Sequence, residues 1–93
     1  MFEINQDGDT VYLSGRFDAS QVDNAKQVFD DVNGDVVADF SALDYISSAG
    51  LGVLLATQKR LVASGHSMKI THLNHHIREI FRIAGFDRVF AID

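Results

Sequence analysis

Two adjacent serines, Ser47 and Ser48, are the side chains whose setting points most directly to chemistry. They stand in Asp39-Phe40-Ser41-Ala42-Leu43-Asp44-Tyr45-Ile46-Ser47-Ser48-Ala49-Gly50-Leu51-Gly52-Val53-Leu54-Leu55. This stretch reads as the end of a buried strand, a short polar loop and the start of an amphipathic helix. A serine at that junction can accept a bond from a backbone N–H that the helix leaves unpaired. One serine suffices for such a cap, and the small pair Ala49-Gly50 leaves the backbone open to a phosphate or a protein. A loop from the carboxyl end of a strand into a helix is also where ligands of open α/β sheets gather. Ser48 therefore reads as a regulatory phosphorylation site on a small protein-binding module. The plainer reading, a helix start that is simply capped, stands beside it.

Other chemistries find less support. Ser48-Ala49-Gly50-Leu51-Gly52 lacks the three-glycine spacing of a dinucleotide turn, and no Gly-Lys-Ser/Thr phosphate loop occurs. A catalytic serine would call for Gly-x-Ser-x-Gly and a neighbouring base, and the pentapeptide is absent. Of the histidines His66, His72, His75 and His76, the adjacent pair points in different directions on a helix, unlike the i, i+4 pairing that holds a metal. The expectation is a domain with no cofactor, no metal and no catalysis of its own. A small enzyme or nucleotide-binding domain is the alternative of another class.

The composition sets the frame. Ninety-three residues allow one domain with a single core, 46% hydrophobic and 23% charged, the balance of a folded chain. A net charge of -5 argues against a nucleic-acid or anionic-membrane surface. No apolar run approaches the roughly 20 residues needed to span a bilayer, and the N-terminus does not resemble a signal peptide. With no cysteine, disulfide and thiol chemistry are excluded, which fits a cytoplasmic protein.

The elements that must position the serines follow from periodicity. Phe2 to Asn5 reads as an edge strand turned by Gln6-Asp7-Gly8-Asp9 into a second strand over Thr10 to Ser14, with Val11 and Leu13 inward. A first helix starts near Asp18 to Ser20, with Val22, Ala25, Phe29 and Val32 as its apolar stripe and Asn33-Gly34 as its end. Asp35 to Phe40 is the central strand, apolar enough to suggest helices above and below the sheet. The second helix spans about Ser48 to Ala63 with Leu51, Leu54, Leu55, Leu61 and Val62 inward and Gln58 at the stripe's edge or hydrogen-bonded. Its opposite side carries Ala49, Gly52, Val53, Ala56, Ala63 and Arg60, small where a solvated face would carry long charged residues. Either another part of the chain covers that side or a partner does. A strand over Ser67 to Leu73, a helix capped by Asn74 with Ile77, Ile80, Phe81 and Ala84 inward, and a strand over Arg88 to Ile92 complete the order β-β-α-β-α-β-α-β. This predicts a single α/β domain over residues 1–93: one small mixed sheet, mostly parallel with an antiparallel N-terminal edge strand, and helices packed on it.

The serine stretch, with Gly15-x-Phe17-Asp18 upstream and Ile83-Ala84-Gly85-Phe86 near the end, resembles the STAS domain family, and within it the bacterial anti-sigma factor antagonists. The resemblance covers nearly all of the chain. It implies a non-catalytic module that binds an anti-sigma factor, itself a serine kinase, and is released when that kinase phosphorylates Ser48; a phosphatase reverses the mark. It departs from the family in two places. Relatives usually carry Asp before the phosphorylated serine, where this chain has Ser47, a second candidate acceptor. Relatives also often continue into a further C-terminal helix, whose absence would expose part of a sheet face and favour self-association or another partner.

The expected partner surface comprises Asp18, Asp44, Ser47, Ser48, Ala49, Gly50, Gly52, Val53, Ala56 and Arg60, with Asp18, Asp39 and Asp44 giving the loop an acidic setting. A phosphate there adds about -1.5 to -2 charges at neutral pH. A homodimer would suit the small-residue face as well. Within the same resemblance the alternative is a STAS subunit of a lipid or anion transport complex, docking through the same helix without phosphorylation.

Overall fold

The computed structural model describes residues 1–93. Strand β1 (Glu3–Asp7) turns at Gly8 into β2 (Thr10–Phe17), with which it pairs antiparallel. A 3₁₀ turn (Ala19–Gln21) leads into α1 (Val22–Phe29), then β3 (Val36–Ile46), α2 (Ser48–Ala63), β4 (Met68–Thr71), α3 (His75–Ile83), a second 3₁₀ turn (Phe86–Arg88) and β5 (Ala91–Ile92). The sheet order is β1-β2-β3-β4-β5, and β2 through β5 run parallel.

That order decides how the layers stack. Each parallel step moves one place in the same direction, so right-handed crossovers put all three helices on one face of the sheet. Burial agrees: Val36, Ala38 and Phe40 are buried, whereas Val37 and Asp39 between them are only partly covered. Helices above and below the sheet, expected from the apolar run, are therefore not what forms; the sheet has one covered and one open face. Val37 is tolerated on the open face because a β-branched side chain fits a pleated surface even half exposed.

The core fills the space between the covered face and the helices. Val11, Leu13 and Phe17 of β2, Met68 and Ile70 of β4, Ala25 and Phe29 of α1, and Ile77 and Phe81 of α3 are all buried. Phe81 meets Phe40 edge-on, with ring centroids 6.1 Å apart, and packs against Phe86 and Phe90 at 5.8 and 6.1 Å. Phe90 thus anchors the chain's last turn before β5, which is only two residues long where a strand over Arg88 to Ile92 was expected. At the other end Phe2 stacks on Phe17 with centroids 4.8 Å apart. Gly15 has φ +80, and a Cβ there would lie 1.7 Å from the Met1 carbonyl oxygen, so the position demands glycine twice over.

The inward face of α2 is rotated from the expected stripe. Leu51, Val53, Leu54, Thr57, Gln58 and Leu61 are buried; Leu55 is half-buried, and Val62 is 57% exposed. Two polar residues hold inward positions because their hydrogen bonds are satisfied. The Thr57 hydroxyl donates to the Val53 carbonyl at 2.9 Å. The Gln58 amide donates to the Val89 carbonyl at 2.8 Å and accepts from the Met68 N–H at 2.7 Å, tying α2 to the start of β4 and to the C-terminal turn. Were Gln58 merely an interruption in an apolar stripe, Gln58→Leu would stabilise the fold. We expect the reverse, a loss of about 2 kcal/mol from a buried N–H and C=O left unpaired, read as a lower urea midpoint at unchanged slope.

Candidate functional site: the β3–α2 junction

Strand β3 does not stop at Phe40; it runs on to Ile46, through the stretch expected to be loop. Its pairing with β2 slips by one residue between Tyr12↔Asp39 and Ser14↔Ala42, and again between Gly15↔Leu43 and Arg16↔Tyr45. Each slip is a bulge that places an extra residue on β3. The inward positions accordingly run Val36, Ala38, Phe40, then Leu43 and Ile46, all buried. The spacing of two becomes three, which hides the strand from any search for alternation.

The bulges are sealed by side chains. The Asp39 carboxylate accepts the Ser41 N–H at 2.8 Å, and the Asn74 amide donates to the Leu43 carbonyl at 3.1 Å while the Asn74 carbonyl oxygen caps α3 through the Ile77 N–H at 2.8 Å. Burial pushes the Asp39 carboxyl up, but the Ser41 N–H and hydroxyl and the nearby His72 imidazole outweigh it and hold it below its ordinary range. Asp39 lies well back in the sheet, opposite Tyr12 and Thr71, and the five residues of β2 from Tyr12 to Phe17 put it roughly 20 Å from the serines. It is not part of their acidic setting.

At the end of β3 the Ser47 N–H donates to the Phe17 carbonyl at 2.9 Å, which clamps the junction to the end of β2. Ser47 is the N-cap of α2, with an extended backbone, and its hydroxyl accepts the Gly50 N–H at 3.1 Å while its carbonyl accepts the Leu51 N–H at 2.9 Å. Ser48 is the first helical residue; it is exposed, and its hydroxyl makes no hydrogen bond within the chain. The two serines have divided the work that the sequence left open, one capping and one free.

The other expected partner residues separate into those that face outward and those that hold the junction together. Ala49, Gly52 and Ala56 are exposed. They line a groove of about 380 Å³ between α1 and α2, together with Val22, Lys26, Asp30, Val53, Thr57 and Arg60. Gly50 is buried instead: a Cβ on it would lie 2.9 Å from Ile46 Cγ1 and 3.2 Å from the Phe17 ring, so glycine lets the first turn of α2 sit on the strand ends. Val53, placed by the sequence on the outer side, is 7% exposed and forms the groove's floor. Arg60 has a structural task that sequence reasoning missed. Its guanidinium donates to the Phe29 and Val32 carbonyls at 2.9 and 2.8 Å, satisfying the end of α1 and binding it to α2.

Asp18 directly follows Phe17 and so lies beside Ser47. It caps the first 3₁₀ turn, accepting both the N–H and the hydroxyl of Ser20. The Ser20 hydroxyl above all, then its N–H and the Arg16 charge, hold the Asp18 carboxyl below its usual range. Asp44 is exposed between Leu43 and Tyr45 at the second bulge. The histidines are dispersed: His66 lies 3.4 Å from Asp35, His72 lies 3.7 Å from Asp39, and His75 and His76 are exposed at the start of α3. No helix is long and apolar enough to cross a membrane.

A family model described as "Mlab, STAS domain" matches residues 1–92. The chain is a STAS domain. A curated relative from Bordetella bronchiseptica, described as the anti-sigma factor antagonist BtrV, is 44% identical to the domain over 57 residues, 61% of this chain and 49% of the relative. The match thus spans about half the length of that relative. Among solved structures, an anti-sigma factor antagonist from Thermotoga maritima superposes with a TM-score of 0.83 at 21% identity, covering 98% of this chain and 84% of the other. The anti-sigma factor antagonist SpoIIAA in its unphosphorylated form gives 0.77 at 18% identity, covering 100% and 88%. At those identities the likeness is one of fold, and it matches the five-stranded sheet with three helices described above.

The division between the serines can be measured on this STAS domain directly. Ser47→Ala should lower stability by about 1 kcal/mol, the usual worth of an N-cap. Ser48→Ala should stay within about 0.5 kcal/mol, as for an exposed position without partners. Chemical denaturation of both variants would show which serine caps; equal losses would contradict the assignment.

Proposed function

We propose that this STAS domain is an anti-sigma factor antagonist: a cytoplasmic, non-catalytic module that binds an anti-sigma factor serine kinase when Ser48 is unmodified and is released when Ser48 is phosphorylated. The observation that carries this reading is the free, exposed hydroxyl of Ser48 at the first residue of α2, beside a cap that Ser47 already supplies. The description of the Bordetella relative supports the choice of partner. The kinase would transfer the γ-phosphoryl group of ATP to Ser48 Oγ, with ADP leaving and the hydroxyl proton passing to a base of the kinase. A phosphatase would restore the hydroxyl by hydrolysis.

The domain is built to survive that modification. A dianion at a helix N-terminus meets the positive end of the helix dipole, so the fold tolerates it. A partner surface fitted to a neutral hydroxyl beside Ala49, Gly52 and Ala56 does not. It would meet a bulky charge close to Asp18 and Asp44, and like-charge contact with desolvation costs several kcal/mol. The groove between α1 and α2 is the surface we assign to the partner, with Gly50 and Arg60 supporting it from behind.

Two experiments test the reading. Ser48→Asp should keep the fold and weaken kinase binding at least a hundredfold, whereas Ser48→Ala should bind constitutively; equal binding by both would refute the switch. Incubation with kinase and ATP followed by mass spectrometry should place one phosphate on Ser48, and a phosphate on Ser47 instead would reassign the acceptor. Separately, Ala56→Arg changes an exposed groove residue, so stability should move by no more than about 0.5 kcal/mol while binding falls. Binding that depends on Ala56 but is indifferent to Ser48, with no phosphate transferred, would instead favour a STAS subunit of a transport complex.

A further inference from the structure

The sequence pattern ends α1 at Asn33-Gly34, but the helix stops at Phe29 and the pair lies in the connection to β3. The fold does not require glycine at position 34. Its φ is not left-handed, and a Cβ there would have nothing within 4 Å. Its N–H donates to no backbone carbonyl. Asn33 is exposed, and its carboxamide makes one hydrogen bond, a 3.3 Å donation to the Asp31 carbonyl that is too long to hold it firmly. A carboxamide therefore stands beside an unpaired and unhindered backbone nitrogen, the setting in which asparagine is chemically labile.

The other asparagines lack that setting. Asn5 lies within β1 and Asn24 within α1, where the backbone is held by regular structure. The Asn74 side chain is committed through both its polar atoms, to the Leu43 carbonyl and the Ile77 N–H. A change at Asn33 also has something to act on. The Val32 carbonyl just before it accepts the Arg60 guanidinium at 2.8 Å, and the Asp35 carboxylate accepts the Ser67 N–H at 3.0 Å. Only Asn33 and Gly34 separate these two anchors, and Arg60 lines the groove between α1 and α2.

We propose that Asn33 is a self-modification site, at which the Gly34 backbone nitrogen attacks the Asn33 carboxamide and water opens the resulting succinimide. The bond from the Gly34 nitrogen to Asn33 Cγ forms as the N–H proton passes to solvent base. Nδ2 takes up a proton and leaves as ammonia. Water adding at Cγ then yields aspartate on an unchanged main chain. Water adding at the Asn33 main-chain carbonyl carbon yields isoaspartate, with the chain rerouted through Cγ. Either product replaces a neutral amide by a carboxylate, one more negative charge on a chain of net charge -5. Isoaspartate also lengthens the main chain by one bond, about 1.5 Å, between two fixed anchors. The Val32 carbonyl must shift, Arg60 loses part of its hold on the end of α1, and the groove loosens. None of this chemistry depends on Ser48 or on the partner proposed above.

The test ages the full folded chain in mildly alkaline buffer and follows each asparagine by peptide-mapping mass spectrometry. The peptide holding Asn33 should gain about 1 Da and separate into aspartate and isoaspartate forms, well before those holding Asn5, Asn24 or Asn74 change. Gly34→Ala should slow the conversion by at least about fivefold, since the new Cβ hinders the attacking nitrogen and restricts its backbone. Conversion at Asn33 no faster than at the other three, or equally fast in Gly34→Ala, overturns the proposal. The first comparison needs only the wild type, so it decides even if the variant fails to fold. In chain synthesised with isoaspartate at position 33, hydrogen exchange at the Asp30 and Val32 N–H groups, bonded to the Lys26 and Phe29 carbonyls, should be several-fold faster than in Asn33→Asp. Equal exchange in the two overturns the effect on Arg60 and the groove.

Discussion

The pairing of β3 with β2 is the constraint on which the rest depends. Two bulges bend β3 and stretch its inward spacing, so that Phe40, Leu43 and Ile46 all reach the core while the strand is still long enough to arrive beside the end of β2. The Ser47 N–H to Phe17 carbonyl bond then closes the junction. From that point the first turn of α2 has only one place to go, down onto Phe17 and Ile46, and only glycine at position 50 lets it approach. The exposed hydroxyl of Ser48 is the residue left over once these demands are met.

The one-sided sheet shapes the function in the same way. With all three helices on the covered face, α1 and α2 lie side by side and leave between them the groove proposed above as the partner's surface. Arg60 keeps that groove in register by donating to the final carbonyls of α1 from the flank of α2. The small residues along the rim leave the helix surface shallow and accessible. A surface supported by backbone bonds and core packing can lose or gain a charge at its edge without unfolding, which the phosphorylation proposed above would require.

Much of this was legible in the residues. Asp7-Gly8 marked the hairpin, Asn74 marked the start of α3, and the stripe Ala25, Phe29 and Val32 marked the inner side of α1; each acts through local geometry that a few residues determine. The inner side of α2 was misjudged because apolarity alone sorted its residues. Gln58 is hydrogen-bonded, one of the two outcomes the sequence left open, whereas Thr57 and Val53 inward and Val62 outward were not foreseen; the bonds to Val89, Met68 and Val53 make the two inward polar residues favourable.

By itself the sequence determined the order of strands and helices, the parallel crossovers, and the serine pair at a helix start, because these follow from propensity, capping and chain connectivity. Tertiary structure alone decided which serine caps, where β3 ends, and that Arg60 and Gly50 serve the scaffold while Ala49, Gly52 and Ala56 face outward. Those outcomes depend on bonds and close approaches between residues far apart in the chain, Phe17 to Ser47 and Phe29 to Arg60 among them. No local pattern encodes a distance that exists only after the chain has folded.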